Sequence, residues 1–104
     1  MSATAPARPE TNEYAPYYEK YVSLVPDADV VETLTRQGEE TLALLGGITE
    51  ERSLFRYEPG KWSIKEVVGH LIDTEHIFAY RALAIARGEQ KPLPGMDQEE
   101  YMYL

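Results

Sequence analysis

Trp62-Ser63-Ile64-Lys65-Glu66-Val67-Val68-Gly69-His70-Leu71-Ile72-Asp73-Thr74-Glu75 is the stretch on which the fold turns. Ser63 is an N-cap residue, and Glu66 stands at the third helical position, the spacing at which a serine and a glutamate satisfy each other's free amides. Trp62 before the cap and Val67 after it are placed for a hydrophobic staple. Except for Gly69, neither proline nor glycine follows until Gly88, which reads as the C-terminal stop. The spacing therefore predicts a helix over 64–87, long enough for the full height of a helical bundle. Ile64, Val67, Val68, Leu71, Ile72, Phe78, Ala79, Ala82, Leu83 and Ala86 make a broad apolar stripe, which calls for more than one neighbour. Glu75 projects into the middle of that stripe, where a carboxylate needs a partner. Arg81, six residues on and off its face, is poorly placed to be one.

Upstream, Phe55-Arg-Tyr-Glu-Pro59-Gly60-Lys61 is a connecting loop punctuated by Pro-Gly, and Thr49-Glu-Glu-Arg52 is a single turn. Before it, Asp29 caps a second long helix, with Glu32 completing a capping-box-like pattern. Val30, Val31, Leu34, Gly38, Thr41, Leu42 and Leu45 recur close to the helical period, predicting a helix over 29–45. Gly46-Gly47 should end it by entering the left-handed conformation. Tyr14, Tyr17, Tyr18 and Tyr21 line one side of a short helix, as a lid or as the wall of a ligand pocket. Residues 1–12, rich in Ala, Pro, Thr and Glu, read as a disordered arm ahead of a domain over 13–104.

Downstream, Lys91-Pro-Leu-Pro-Gly95 is a rigid linker. Asp97-Gln-Glu-Glu100 repeats the capping pattern, and Tyr101-Met-Tyr-Leu104 begins an apolar run. A single turn is too short to be stable alone, so the expectation here is a truncated chain, ending at the start of a third long helix.

The composition excludes several functions. Of 104 residues, 43% are apolar, an ordinary globular share, and only ten are Lys or Arg against a net charge of −8. A phosphate-backbone binder needs clustered basic residues, so no nucleic-acid partner is expected. No signal-peptide pattern and no membrane-length apolar run is present, which gives the expectation of a cytoplasmic protein without a membrane partner. The absence of cysteine removes disulfides, thiolate metal sites and a protein-borne thiol nucleophile.

Two histidines are available, His70 and His76. Helical chelation needs a spacing of three or four residues. At about 100° per residue a spacing of six puts them roughly 120° apart, so they cannot share an ion within one chain. On spacing alone each is a structural or surface histidine. Glu66 and Asp73, one turn either side of His70, are candidates to orient its ring, although the capping box already claims Glu66. There is no phosphate loop after Gly46-Gly47 and no nucleophile-elbow serine. The pairs Glu39-Glu40, Glu50-Glu51 and Glu99-Glu100 read as solvated faces.

The run from Pro59 to Glu75, with Lys-Trp-Ser, Gly-His-Leu and Asp-Thr-Glu, followed by Phe78-Ala-Tyr80-Arg81-Ala-Leu-Ala-Ile-Ala-Arg87-Gly88, resembles the second helix of the DinB/YfiT-like superfamily and the loop before it. The resemblance covers residues 14–104 and implies an all-α protein carrying the N-terminal half of a DinB-like four-helix up-down bundle. Two long antiparallel helices, a short N-terminal helix and the start of a third make up that half. In that family three histidines hold a divalent metal, zinc or nickel, one on the second helix and a His-x-x-x-His pair on the fourth. His70 matches the second-helix ligand; His76 matches none, and no His-x-x-x-His occurs in this chain.

The resemblance implies a metal-dependent hydrolase or a thiol S-transferase using a small-molecule thiol and a small-molecule substrate. On this reading His70 is one third of a metal site, and the chain alone is inactive. The competing expectation is a non-catalytic helical interaction module that completes its bundle as a homodimer, two helices from each copy.

Overall fold

The serine-glutamate pair that organises the sequence also organises the structure, a computed structural model that describes residues 6–104. Ser63 Oγ accepts from the Glu66 N–H at 3.1 Å, and the Ser63 N–H donates to Glu66 Oε1 at 3.0 Å, closing the capping box. The helix it starts, α3, runs Ile64–Ala86. Its length follows from an interior free of proline, and its end is equally well defined. The Gly88 N–H donates to the Ile85 carbonyl and the Glu89 N–H to the Ala84 carbonyl, both at 3.0 Å, with Gly88 at φ +82°. These two bonds form a Schellman stop.

The described residues hold three more α-helices: α1, Glu19–Val22, entered through a 3-10 turn at Pro16–Tyr18; α2, Val30–Gly46; and α4, Gln98–Tyr103. The chain divides into two units, Met1–Gly47 and Ile48–Leu104. In the first, Asp29 caps α2 by accepting from the Val31 and Glu32 amides at 2.9 and 3.2 Å. Gly47 departs from expectation: its φ of −88° is right-handed, and α2 ends without a left-handed glycine. Residues 6–10 have no regular structure, and the first five residues of the expected disordered arm lie outside the described residues.

In the second unit, Thr49 Oγ1 accepts from the Arg52 N–H at 3.1 Å and leads into a 3-10 turn at Arg52–Leu54. Pro59-Gly60 is a tight turn with Gly60 at φ +82° and a Lys61 N–H to Glu58 carbonyl bond of 3.2 Å. Both features follow from the residues: proline presets the first turn angle, and glycine alone takes the second without a clash.

The half-bundle expectation is corrected. Among the described residues there are four α-helices, where two long helices, a short N-terminal one and only the start of a third were expected, and the expectation of a helix merely begun fails at α4. Asp97 Oδ1 accepts from the Glu100 N–H at 3.0 Å, so the last helix is formed and capped. Its neighbour supplies what so short a helix lacks alone. Met102 is half-buried against α3, where a methyl placed on Gly69 would stand 3.8 Å from Met102 Cε. A helix this short is unstable in isolation, and the tertiary contact is what the sequence alone does not show.

Among the described residues no apolar side chain is buried; the buried ones are Thr33 and Ser63. Glu75 is exposed, so the carboxylate read as lying within the apolar stripe needs no partner.

Glu66 carries a consequence for acid stability. The Ser63 backbone N–H holds its carboxyl below the usual carboxylate range, aided by the Ser63 hydroxyl and the Arg56 guanidinium and opposed by desolvation. A carboxyl lowered in the folded state stabilises fully above its unfolded value, and that contribution is lost as pH falls through the folded value. Glu66→Gln should therefore flatten the acid limb of the thermal midpoint against pH, measured by circular dichroism from neutrality downward. A parallel acid limb in wild type and variant would disprove the linkage.

Candidate functional site

Capping fixes the start of α3, and with it the position of His70 two turns on. The His70 ring is half-buried and lies against Trp62, with ring centroids 5.1 Å apart and planes at 53°. Trp62 precedes the cap, so the same local geometry that begins the helix brings the indole back over the imidazole. None of the described residues hydrogen-bonds the His70 nitrogens. Glu66, considered as an orienting partner, is committed to the capping box and to an ion pair with Arg56. Asp73 is half-buried and makes no ion pair among the described residues.

His76 occupies a different place. It is exposed and lines a cleft with Tyr80, Arg81 and the turn before α4. The two histidines do not come together, as their six-residue spacing requires.

No group of three or more His, Asp or Glu side chains able to hold an ion exists among the described residues. The residues present do not fit a closed metal centre. His70 offers one imidazole, and a structural or catalytic zinc site needs at least three protein donors. The expectation of a metal-binding chain is corrected to this extent: the donor set is not assembled here.

The tyrosine segment forms its own cluster in the first unit. The Tyr17 ring meets Tyr18 edge-on at 5.1 Å and Tyr21 at 6.1 Å, and the Lys20 ammonium sits 4.1 Å from the Tyr17 ring centre. The hydrogen bond with Tyr21 pushes the Tyr17 hydroxyl above its ordinary range, as the bond with Glu19 does for Tyr14. A hollow of about 360 Å³ in that unit is lined by Val22, Val25 and Pro26 and by Arg8, not by these tyrosines. Arg8 donates to the Val22 and Val25 carbonyls at 2.8 and 2.6 Å, closing the end of α1. No helix among the described residues is long and apolar enough to cross a membrane.

Every regular element among the described residues is helical, which makes this an all-α protein, with an imidazole presented near the start of its longest helix. The model of the DinB superfamily matches residues 33–102, and the chain belongs to that superfamily. The match runs from α2 into α4, which overturns the expectation that only the N-terminal part of such a domain is represented. No curated protein and no solved structure matches the chain.

Proposed function

We propose that the functional residue of this DinB-superfamily domain is His70, a single imidazole donor toward a divalent ion, zinc or nickel. The reaction class that goes with it is that of a metal-dependent hydrolase or thiol S-transferase. One observation carries the reading: the His70 ring is steadied by Trp62 while its nitrogens are bonded to no described group. No side-chain polar atom among the described residues is both buried and unpartnered, so the His70 nitrogens are open to solvent and accessible to an ion. A divalent ion with open positions would supply polarisation of a water or a thiol sulfur. With one donor in the chain, no step is assigned through it, and residues 1–104 alone should show background hydrolase and transferase activity.

A second reading, a helical interaction module without catalysis, is favoured by the exposure of the apolar faces, including Leu71, Ile72, Phe78 and Leu83 on α3, each more than half exposed. Nothing among the described residues selects a second copy as the partner, and the homodimer expectation is not carried forward.

One titration separates the two. Trp62 is the sole tryptophan and lies beside His70, so nickel bound there should quench its emission. Nickel chloride should quench wild type weakly but saturably; His70→Ala should abolish the effect, and His76→Ala should preserve it. Quenching that survives in His70→Ala refutes the assignment, and absence of quenching in wild type favours the interaction module. Tight stoichiometric binding would contradict the one-donor description.

A further inference from the structure

Three turns beyond His70, about 16 Å along α3 at 1.5 Å per residue, the second unit has a cleft of about 260 Å³ lined by His76, Tyr80, Arg81, Leu93, Pro94 and Tyr101. We propose that this cleft binds a small aromatic carboxylate, with Arg81 as its anion anchor. The assignment is independent of the proposed role of His70.

The argument rests on how Arg81 is held. One guanidinium N–H donates to the Pro94 carbonyl at 3.0 Å, and the guanidinium carbon lies 5.8 Å from the Phe78 ring centre. The head group is thus held at the cleft wall by an exposed bond, on a residue that is half-buried as a whole. A guanidinium has five N–H donors, and one is spent on the carbonyl, leaving a fork for an external acceptor. Arg81 makes no ion pair among the described residues, although carboxylates outnumber basic residues in the chain by 18 to 10. An arginine left without a carboxylate in so acidic a chain, and pinned by a backbone carbonyl, is pre-organised for an anion it does not own.

The remaining wall sets the rest of the ligand. Tyr80, Tyr101, Leu93 and Pro94 share the lining, an aromatic and apolar set suited to a flat, hydrophobic body. The volume is slightly below the usual range for drug-sized ligands, about 300–1,000 Å³, so the body is one ring rather than two. A planar carboxylate matches the guanidinium fork in two parallel bonds. A phosphate dianion would have one anchoring arginine to set against the net charge of −8, which favours the monovalent carboxylate.

Benzoate is the probe, benzamide its uncharged counterpart, and amide chemical shifts of the full chain the readout. Benzoate should move resonances around Arg81, Leu93 and Tyr101 saturably, with benzamide binding at least about tenfold more weakly, the scale of a lost hydrogen bond to a charged group. Arg81→Gln retains a donor for the Pro94 carbonyl and should lose benzoate binding by about the same factor, whereas His70→Ala should bind it unchanged. Should Arg81→Gln lose its helical circular dichroism, the benzoate-benzamide ratio in wild type still decides. Equal binding of the two probes, no saturable shift at the cleft, or full benzoate affinity in folded Arg81→Gln would each overturn the proposal.

Discussion

Ala79→Pro is expected to unfold the C-terminal third of α3 while leaving its N-terminal part intact. Ala79 is exposed in the interior of Ile64–Ala86, so the substitution acts through the backbone and not through lost packing. Proline removes the N–H that bonds the Glu75 carbonyl and drives its ring toward that oxygen, at a cost of about 3 kcal/mol or more. Set against a typical domain stability of about 5–15 kcal/mol, this is a large fraction. The two flanks differ in what can rescue them. Residues from Ile64 to the break retain the Ser63–Glu66 capping box and the Met102 contact at Gly69. Residues beyond it retain the Gly88 stop but make too short a helix to persist alone. Helical circular dichroism should fall by more than the change at one residue explains. Nickel quenching of Trp62 should persist while the benzoate response at Arg81 disappears. Ala79→Gly, costing about 1 kcal/mol, is the control that should retain both. An Ala79→Pro protein with undiminished helicity would mean that α3 is not the continuous rod on which both places depend.

That contrast also marks which parts of the molecule are local in origin. The capping box, the Asp29 and Asp97 caps and the Pro59-Gly60 turn are each set within four or five residues, and each was legible in the sequence for that reason. His70 was legible as a candidate because the surrounding motif is local as well. The contact of its ring with Trp62 was not, because the staple pattern points Trp62 at Val67 and says nothing of a residue two turns along. The error over α4 has the same root. A six-residue helix is judged unstable by itself, and only the packing of Met102 on α3 reverses that judgement. The Arg81 cleft was invisible for a related reason. Its lining includes Leu93 and Pro94, more than ten residues from the arginine, and only the reversal of direction after Gly88 brings them together. The exposed position of Glu75 shows the limit of periodicity: a residue inside an apolar pattern needs a partner only if something covers it.

Gly88→Ala and Gly47→Ala should change stability in opposite directions, although the sequence reads both glycines as helix stops. At Gly88 φ is +82°, where an alanine Cβ crowds its own backbone at a cost of about 1–2 kcal/mol. Open space surrounds the position, with nothing within 4 Å of an added Cβ, so the penalty is one of backbone conformation alone. The consequence reaches further than the residue. The bonds from Gly88 to Ile85 and from Glu89 to Ala84 turn the chain into the 91–95 linker, and the Pro94 carbonyl of that linker positions Arg81. Gly88→Ala should therefore lower the thermal midpoint and weaken benzoate binding together, and Gly88→Asn, which tolerates the left-handed region, should restore much of both. At Gly47 φ is −88°, an ordinary value for alanine, and an added Cβ would stand 3.9 Å from the Leu44 carbonyl oxygen, a normal contact. There the substitution should stabilise by about 0.4–1 kcal/mol, because it restricts the unfolded chain without straining the folded one. Chemical denaturation of the two variants beside wild type measures both signs at once. Destabilisation by Gly47→Ala comparable to that by Gly88→Ala would show that α2 ends in a left-handed glycine after all, and that the two stops are physically the same.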